Sequence, residues 1–184
     1  MKVNIIPIED VSKTVIKTIS EHLKEAYPIV EGVNLEPEVE LPSEAYDADR
    51  DKYRAEIILQ HFSSRFASKK GKILMITSED LYSLGLNFIF GQAQKPGKFS
   101  LISLHRLRPK FWRDEKDLDL FLNRAVKETI HEIGHTLGLD HCEDRNCVMS
   151  FSNRIEHTDR KGVDLCEQCE GKIKEMYTDE SDNR

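Results

Sequence analysis

No stretch of this 184-residue chain approaches the ~18 consecutive apolar residues that a membrane-spanning helix needs. A helical membrane protein is excluded on that ground. An excess of basic charge is also missing: 27 Lys and Arg stand against 33 Asp and Glu, a formal net charge of −6. That is the wrong sign for a general nucleic-acid binder, and the one small basic run, Arg106, Arg108 and Lys110, reads as a solvated loop. The opening residues Met1 to Ile8 run straight into Glu9 and Asp10, without the apolar core and small-residue cleavage site of a secretory leader, so the expected compartment is the cytoplasm. There is no internal repeat and no Pro-, Gly- or Ser-rich linker, so a single domain over residues 1–184 is expected, as a monomer. Cysteine is scarce, with four residues at 142, 147, 166 and 169. In a reducing compartment such a set points to metal ligation rather than disulfides.

What is present is charge and apolar periodicity: 39% of residues are hydrophobic and 33% charged, against roughly 25% charged in an average soluble chain. Residues 3–8 read as a buried strand, followed by a helix over 11–26 with Val11, Val15, Ile19, Leu23 and Ala26 on one stripe. The alternating segment 33–41 predicts a strand, confined to a sheet edge by Pro37. A helix is predicted over 49–67, with Ala55, Ile58, Leu59, Phe62 and Phe66 inward, then strands over 73–77, 86–91 and 99–104. A long helical pattern covers 114–138, with Gly138 as its stop. A short helix covers 166–177 and a disordered tail 178–184. The fold class expected is α+β: a mixed sheet flanked by helices, then a long helix and a metal-rich C-terminal part over 139–177.

The segment His131-Glu132-Ile133-Gly134-His135-Thr136-Leu137-Gly138-Leu139-Asp140-His141 carries the chemistry. On a helix, residues four apart differ by about 40° in azimuth and about 6 Å in rise, so His131 and His135 share a face and can chelate one ion. Gly138 permits a positive-φ exit, and His141 can swing back as a third ligand, leaving the fourth position of a zinc ion open. Glu132 adjoins the first ligand, where its carboxylate can take a proton from water activated by the metal. Together these features describe hydrolysis of a peptide bond.

Cys142-x₄-Cys147 and Cys166-x₂-Cys169 form two close pairs, the pattern of a closed, structural zinc site. Cys142 follows His141 directly, and adjacent side chains point different ways, so the two can serve different metals. The site would brace the His141 loop and hold Cys147-Val148-Met149, setting the Met149 thioether as an apolar floor under the histidines.

The run HEIGHTLGLDH followed by Cys142, then Cys147-Val148-Met149, then Cys166-Glu167-Gln168-Cys169, resembles the metzincin zinc peptidases and, within them, the archaemetzincins. Residues 86–91 and 100–104, with Arg106 and Leu107, are similar to the same family, so the resemblance covers most of the chain from Ile73 onward. It implies a compact zincin fold with a mixed sheet, an antiparallel edge strand (here expected at 86–91) lining the cleft, and two zinc ions, one catalytic and one structural. Where some metzincins carry a tyrosine after the methionine, Ser150 and Phe151 stand here. The function expected is a zinc-dependent peptidase acting on peptides or proteins, with aminopeptidase action as one form of it. Two other classes are weighed. A zinc-dependent endoribonuclease shares the H-x₃-H-x₅-H spacing but lacks an acid at the Glu132 position and the cysteines, and the acidic net charge speaks against nucleic acid as partner. A low-turnover peptide-binding protein would keep the same residues.

Overall fold

The computed structural model describes residues 1–112 and 116–178; the expected tail from 179 onward lies outside the described residues. The chain runs β1 (Lys2–Ile8), α1 (Lys13–Ala26), β2 (Gly32–Leu35), β3 (Tyr46–Asp47), β4 (Lys52–Arg54), α2 (Ala55–Arg65) and β5 (Lys72–Thr77). It continues with β6 (Leu81–Ser83), β7 (Leu86–Ile89), β8 (Gly91–Ala93), β9 (Phe99–Ser103), α3 (Leu118–Thr136), α4 (Ile155–Arg160) and α5 (Glu167–Thr178). The larger sheet has the order β2-β1-β5-β9-β8, parallel except for the β8–β9 pair. A second, smaller sheet has the order β3-β4-β6-β7. No helix among the described residues is long and apolar enough to cross a membrane.

The three central strands are buried on both faces, and alternation sorts their side chains into two cores. Val3, Ile5, Leu74, Ile76 and Ile102 face α1, α3 and the C-terminal segment. Ile6, Ile8, Ile73, Met75, Phe99 and Leu101 face α2. Because β2 and β5 lie on opposite sides of β1, right-handed crossovers place α1 and α2 on opposite faces. α1 is held by Val15, Ile16, Ile19 and Leu23, and α2 by Ala55, Ile58, Leu59 and Phe62, in accord with the periodicity of each.

Several boundaries differ from the sequence expectation. The helix expected over 49–67 starts at Ala55, because Tyr53 and Arg54 pair with Leu81 and Tyr82 as a parallel strand instead. The strand expected over 33–41 ends at Leu35, which is 59% exposed. Pro37 has no N–H to offer a ladder, and Val39 rejoins only through a bridge to Ile8. Residues 86–91 are not one strand. β7 pairs with β6, the chain turns at the buried Phe90, and the antiparallel edge of the larger sheet is β8. Arg106 is no solvated loop residue: its guanidinium donates to both Asp80 oxygens at 2.7 Å and lies over the Phe88 and Phe111 rings at 4.3 and 4.7 Å.

The long helix spans Leu118–Thr136; of the 114–138 expected, residues 114 and 115 lie outside the described residues. Asp117 caps it, its carboxylate accepting from the Leu120 N–H at 2.8 Å. At the other end Gly138 has φ +102°. Its N–H donates to the His135 carbonyl, and the Leu139 N–H donates to the Gly134 carbonyl, each at 3.0 Å. This double bond pattern is a Schellman closure, and it reverses the chain so that residue 141 returns beside the helix.

A side chain at this φ meets the steric cost of the left-handed region. Gly138→Ala is expected to lower stability by about 1–2 kcal/mol, read from the denaturant midpoint of the metal-loaded protein.

Candidate metal centres and the cleft between them and the sheet edge

α3 presents His131 and His135 one turn apart, and the Schellman closure returns His141 to them. The ligand atoms of the three all lie within 4.8 Å of one another. The outer nitrogens decide their chemistry. His131 Nδ1–H donates to the Val148 carbonyl at 2.9 Å, and His135 Nδ1–H to the Leu139 carbonyl at 2.8 Å. A carbonyl can only accept, so each Nδ1 carries the proton and each Nε2 is left with a lone pair. The two Nε2 atoms are 3.1 Å apart. Two lone pairs turned on each other at that distance repel unless a cation sits between them, so the donor set fits a zinc ion. Burial and the Lys161 charge push His131 well below the usual imidazole range, and burial lowers His135 and His141 as well. All three are therefore in the neutral form that ligates metal.

Each orienting carbonyl belongs to a segment the fold fixes. Leu139 is the residue just past the Gly138 turn. Val148 lies in the segment that links two of the cysteines, and its own N–H donates to the Asp164 carbonyl at 3.0 Å. Met149 is fully buried beneath α3, against Gly134. A Cβ on Gly134 would run into the Met149 sulfur and come within 2.7 Å of the Tyr27 hydroxyl oxygen. That hydroxyl is itself fixed by donating to the Ile130 carbonyl at 2.7 Å.

The four cysteines form the second cluster, their sulfurs all within 4.8 Å of one another. Cys142 and Cys166 sulfurs are 3.7 Å apart and Cys147 and Cys169 sulfurs 3.8 Å. A disulfide needs about 2.05 Å, whereas a tetrahedron of Zn–S bonds near 2.3 Å has edges of about 3.8 Å. The spacing thus matches a closed tetrathiolate site. Burial pushes the Cys147 and Cys169 thiols up, a cost that a bound cation reverses by deprotonating its ligands outright. Cys142 is tied to the far side of the loop, its N–H donating to the Met149 carbonyl at 3.0 Å. His141 and Cys142, adjacent in sequence, fall in different groups.

Glu132 lies with the histidines along a cleft of about 390 Å³, and its side chain packs against Gly91 at the start of β8. A Cβ there would come within 2.7 Å of Glu132 Cγ, so the missing side chain is what admits the carboxyl. Burial, then the neighbouring Glu128, push the Glu132 carboxyl well above the usual carboxylate range. The Oε2 atoms of both acids have no hydrogen-bond partner among the described residues. Beneath them Lys161 is 1% exposed. Its ammonium donates to the Ser150 carbonyl at 3.4 Å and lies 3.4 Å from His131 Nδ1. Burial lowers its pKa, while Glu128 and Glu132 oppose that.

The three histidines and the four cysteines singled out from the sequence thus come together as two groups, with Glu132 lining the cleft beside the first and Met149 buried under α3. Sequence reasoning missed Glu128, Lys161, Gly91 and Gly134. Of these only Glu128 left a trace, lying four residues before Glu132 and so on the same helix face.

Comparison with known proteins follows the same line. The model of Peptidase family M54 matches residues 4–175. The chain is similar to the archaemetzincin of Saccharolobus solfataricus, 38% identical over 176 residues that cover 96% of this chain and 94% of that protein. It is equally similar to the archaemetzincin of Methanocaldococcus jannaschii, 38% identical over 175 residues covering 95% and 94%. The crystal structure of archaemetzincin from Methanopyrus kandleri superposes with a TM-score of 0.82 at 36% identity, covering 97% of this chain and 96% of that one. That from Archaeoglobus fulgidus, complexed with malonate, gives 0.79 at 35% identity over 94% and 99%.

The packing around Gly134 is tight on two sides, and the tyrosine side cannot yield without losing its hydrogen bond. Gly134→Ala is expected to cost about 1–3 kcal/mol by overpacking, measured by denaturant unfolding; an unchanged midpoint would show that Met149 alone absorbs the methyl group.

Proposed function

Since the chain belongs to peptidase family M54 and is a zinc metallopeptidase, a hydrolase, we propose that His131, His135 and His141 hold its catalytic zinc and that Glu132 is its general base. Cys142, Cys147, Cys166 and Cys169 hold a second, structural zinc in the same reading, giving two ions per chain. The observation that carries it is the pair of Nε2 lone pairs 3.1 Å apart at the foot of a cleft that Glu132 also lines.

Zinc at the histidines would supply Lewis acidity, lowering the pKa of a water to about 7 and polarising the scissile carbonyl. The Glu132 carboxylate takes the proton of the attacking water and delivers it to the leaving amine. Its raised pKa suits both halves of that task, because a base too acidic would hold the proton too weakly. Lys161 limits the rise, since its ammonium favours the ionised form of both nearby acids. β8 pairs with β9 on one side only, so its other edge can take an extended peptide by strand addition and set the carbonyl over the histidines. Exposed Phe151 and Leu86 both line the cleft and offer apolar contact to substrate side chains. Preference for a free amino terminus belongs to the same reading. It is supported by Glu128, a buried acid of the cleft wall whose charge complements an α-ammonium.

Zinc-loaded protein is expected to cleave members of a peptide library, with kcat at least about 100-fold lower in Glu132→Ala. If both proteins bind peptide and neither cleaves it, a binding protein stands in place of the enzyme. Native mass spectrometry is expected to show two zinc ions per chain, falling to one in Cys166→Ser with His141 then less protected from hydrogen exchange. A single ion in the unaltered protein, unaffected by the cysteine change, would remove the structural site.

A further inference from the structure

Beside the cleft, and sharing Phe151 with it, lies a second pocket of about 240 Å³ lined by Arg145, Ser150, Phe151, His157 and Arg160. Phe151 lines both spaces, and its ring meets that of His141 edge-on at 4.9 Å. No acidic residue lines this second pocket. Among the described residues neither arginine side chain, nor that of His157, has an ion-pair or hydrogen-bond partner. In a chain of net charge −6, two arginines and a histidine gathered in one concavity without a counter-charge are a local reversal of sign.

The backbones that carry the arginines are fixed. Arg145 sits in the loop between Cys142 and Cys147, and Arg160 ends α4. The two segments are tied together by the Gly162 N–H, which donates to the Asn146 carbonyl at 2.7 Å. α4 is in turn clamped to α3. The buried Arg124 donates to both oxygens of Asp159 at 2.6 Å, and the Lys127 ammonium donates to the Thr158 and Asp159 carbonyls. The guanidinium groups thus project from anchored positions, which lowers the entropy a ligand must overcome. Arginine's planar fork matches a carboxylate with two parallel hydrogen bonds. An extended peptide advances about 3.3–3.6 Å per residue, so a group reaching past the Phe151 ring belongs to a residue one or two places from the scissile bond.

We infer that the Arg145–Arg160 pocket is a substrate-specificity subsite for a carboxylate near the scissile bond, contributed by an acidic side chain or by the substrate's own C-terminus. This rests on the reading of the histidine cluster as the catalytic centre, since it takes Phe151 as the boundary between reaction and recognition.

The test uses zinc-loaded full-length protein and peptides matched in pairs: Glu against Gln at each position flanking the cleaved bond, and a free C-terminus against a C-terminal amide. Wild type is expected to favour one carboxylate form by about tenfold in kcat/KM, and the favoured pair tells side chain from terminus. In Arg145→Gln/Arg160→Gln that preference falls to within about twofold, while the uncharged partner is cleaved at the wild-type rate, and raised salt weakens the wild-type preference. Absence of any preference in wild type, or its survival in the double variant, overturns the subsite. If no peptide is cleaved at all, the catalytic reading fails and the pocket is read from equilibrium binding of the same fluorescently labelled pairs. Tighter binding of the carboxylate form that the double variant abolishes sustains the subsite, and equal binding overturns it. Displacement of the peptide by an oligoribonucleotide that binds the same two arginines more tightly also overturns it, in favour of a phosphate site.

Discussion

Two imidazole nitrogens 3.1 Å apart with their lone pairs turned on each other form an arrangement that a folded chain keeps only if the rest of the structure compels it. Two carbonyl oxygens apply that constraint by claiming the Nδ1 protons. Most of the local architecture can be understood as placing those carbonyls. Leu139 is brought into range by the Gly138 closure, and Val148 by the loop between Cys142 and the Asp164 contact. Met149 fills the space beneath, and glycine at 134 leaves room for it. On the opposite wall glycine at 91 leaves room for Glu132. Both glycines matter for the side chain they lack rather than for backbone freedom.

The same helix that carries the histidines also buries an unusual amount of charge. Arg124, Lys127, Glu128 and Glu132 of α3 are all largely excluded from water, and Lys161 joins them. Isolated, each would cost several kcal/mol, but they compensate in pairs: Arg124 with Asp159, and Lys161 with Glu128 and Glu132. Because such pairs offset desolvation rather than add much net stability, their value lies in specificity. They fix α4 and residues 158–161 against α3, and that in turn sets Ser150, Phe151 and the two arginines beside the cleft. The cysteine cluster does the same for the loop on the other side, with a metal as the expected cross-link.

Much of this is legible in the amino-acid sequence. The i, i+4 histidines, the glycine stop, the third histidine and the two cysteine pairs follow from helical geometry and ligand spacing, and they assemble as expected. The three central strands and the faces of α1 and α2 follow from periodicity, since each is long enough to show it. What was not legible falls into two physical classes. Strands of two or three residues, β3, β4 and β6, are too short to show a period, so β4 reads as part of a helix and the switch of sheet at Phe90 reads as one strand. Buried charges escape because pattern reading assigns them to the surface: Lys161 and Arg124 become intelligible only once their partners, distant in sequence, are in place. Arg106 departs from the solvated-loop expectation for the same reason, since Asp80 and the rings of Phe88 and Phe111 come from elsewhere in the chain, whereas Lys110 is exposed.

The central claim is that the fold holds His131 and His135 in one tautomer so that their Nε2 atoms, with His141, enclose a cation apart from the cysteines. It is tested most directly by a crystal structure of zinc-loaded protein with anomalous data at the zinc edge. The account predicts two peaks per chain. One lies about 2.0–2.1 Å from Nε2 of His131 and His135 and from a His141 ring nitrogen, and the other about 2.3 Å from all four cysteine sulfurs. Zinc bound through Nδ1, or one ion shared between His141 and the cysteines, would contradict it.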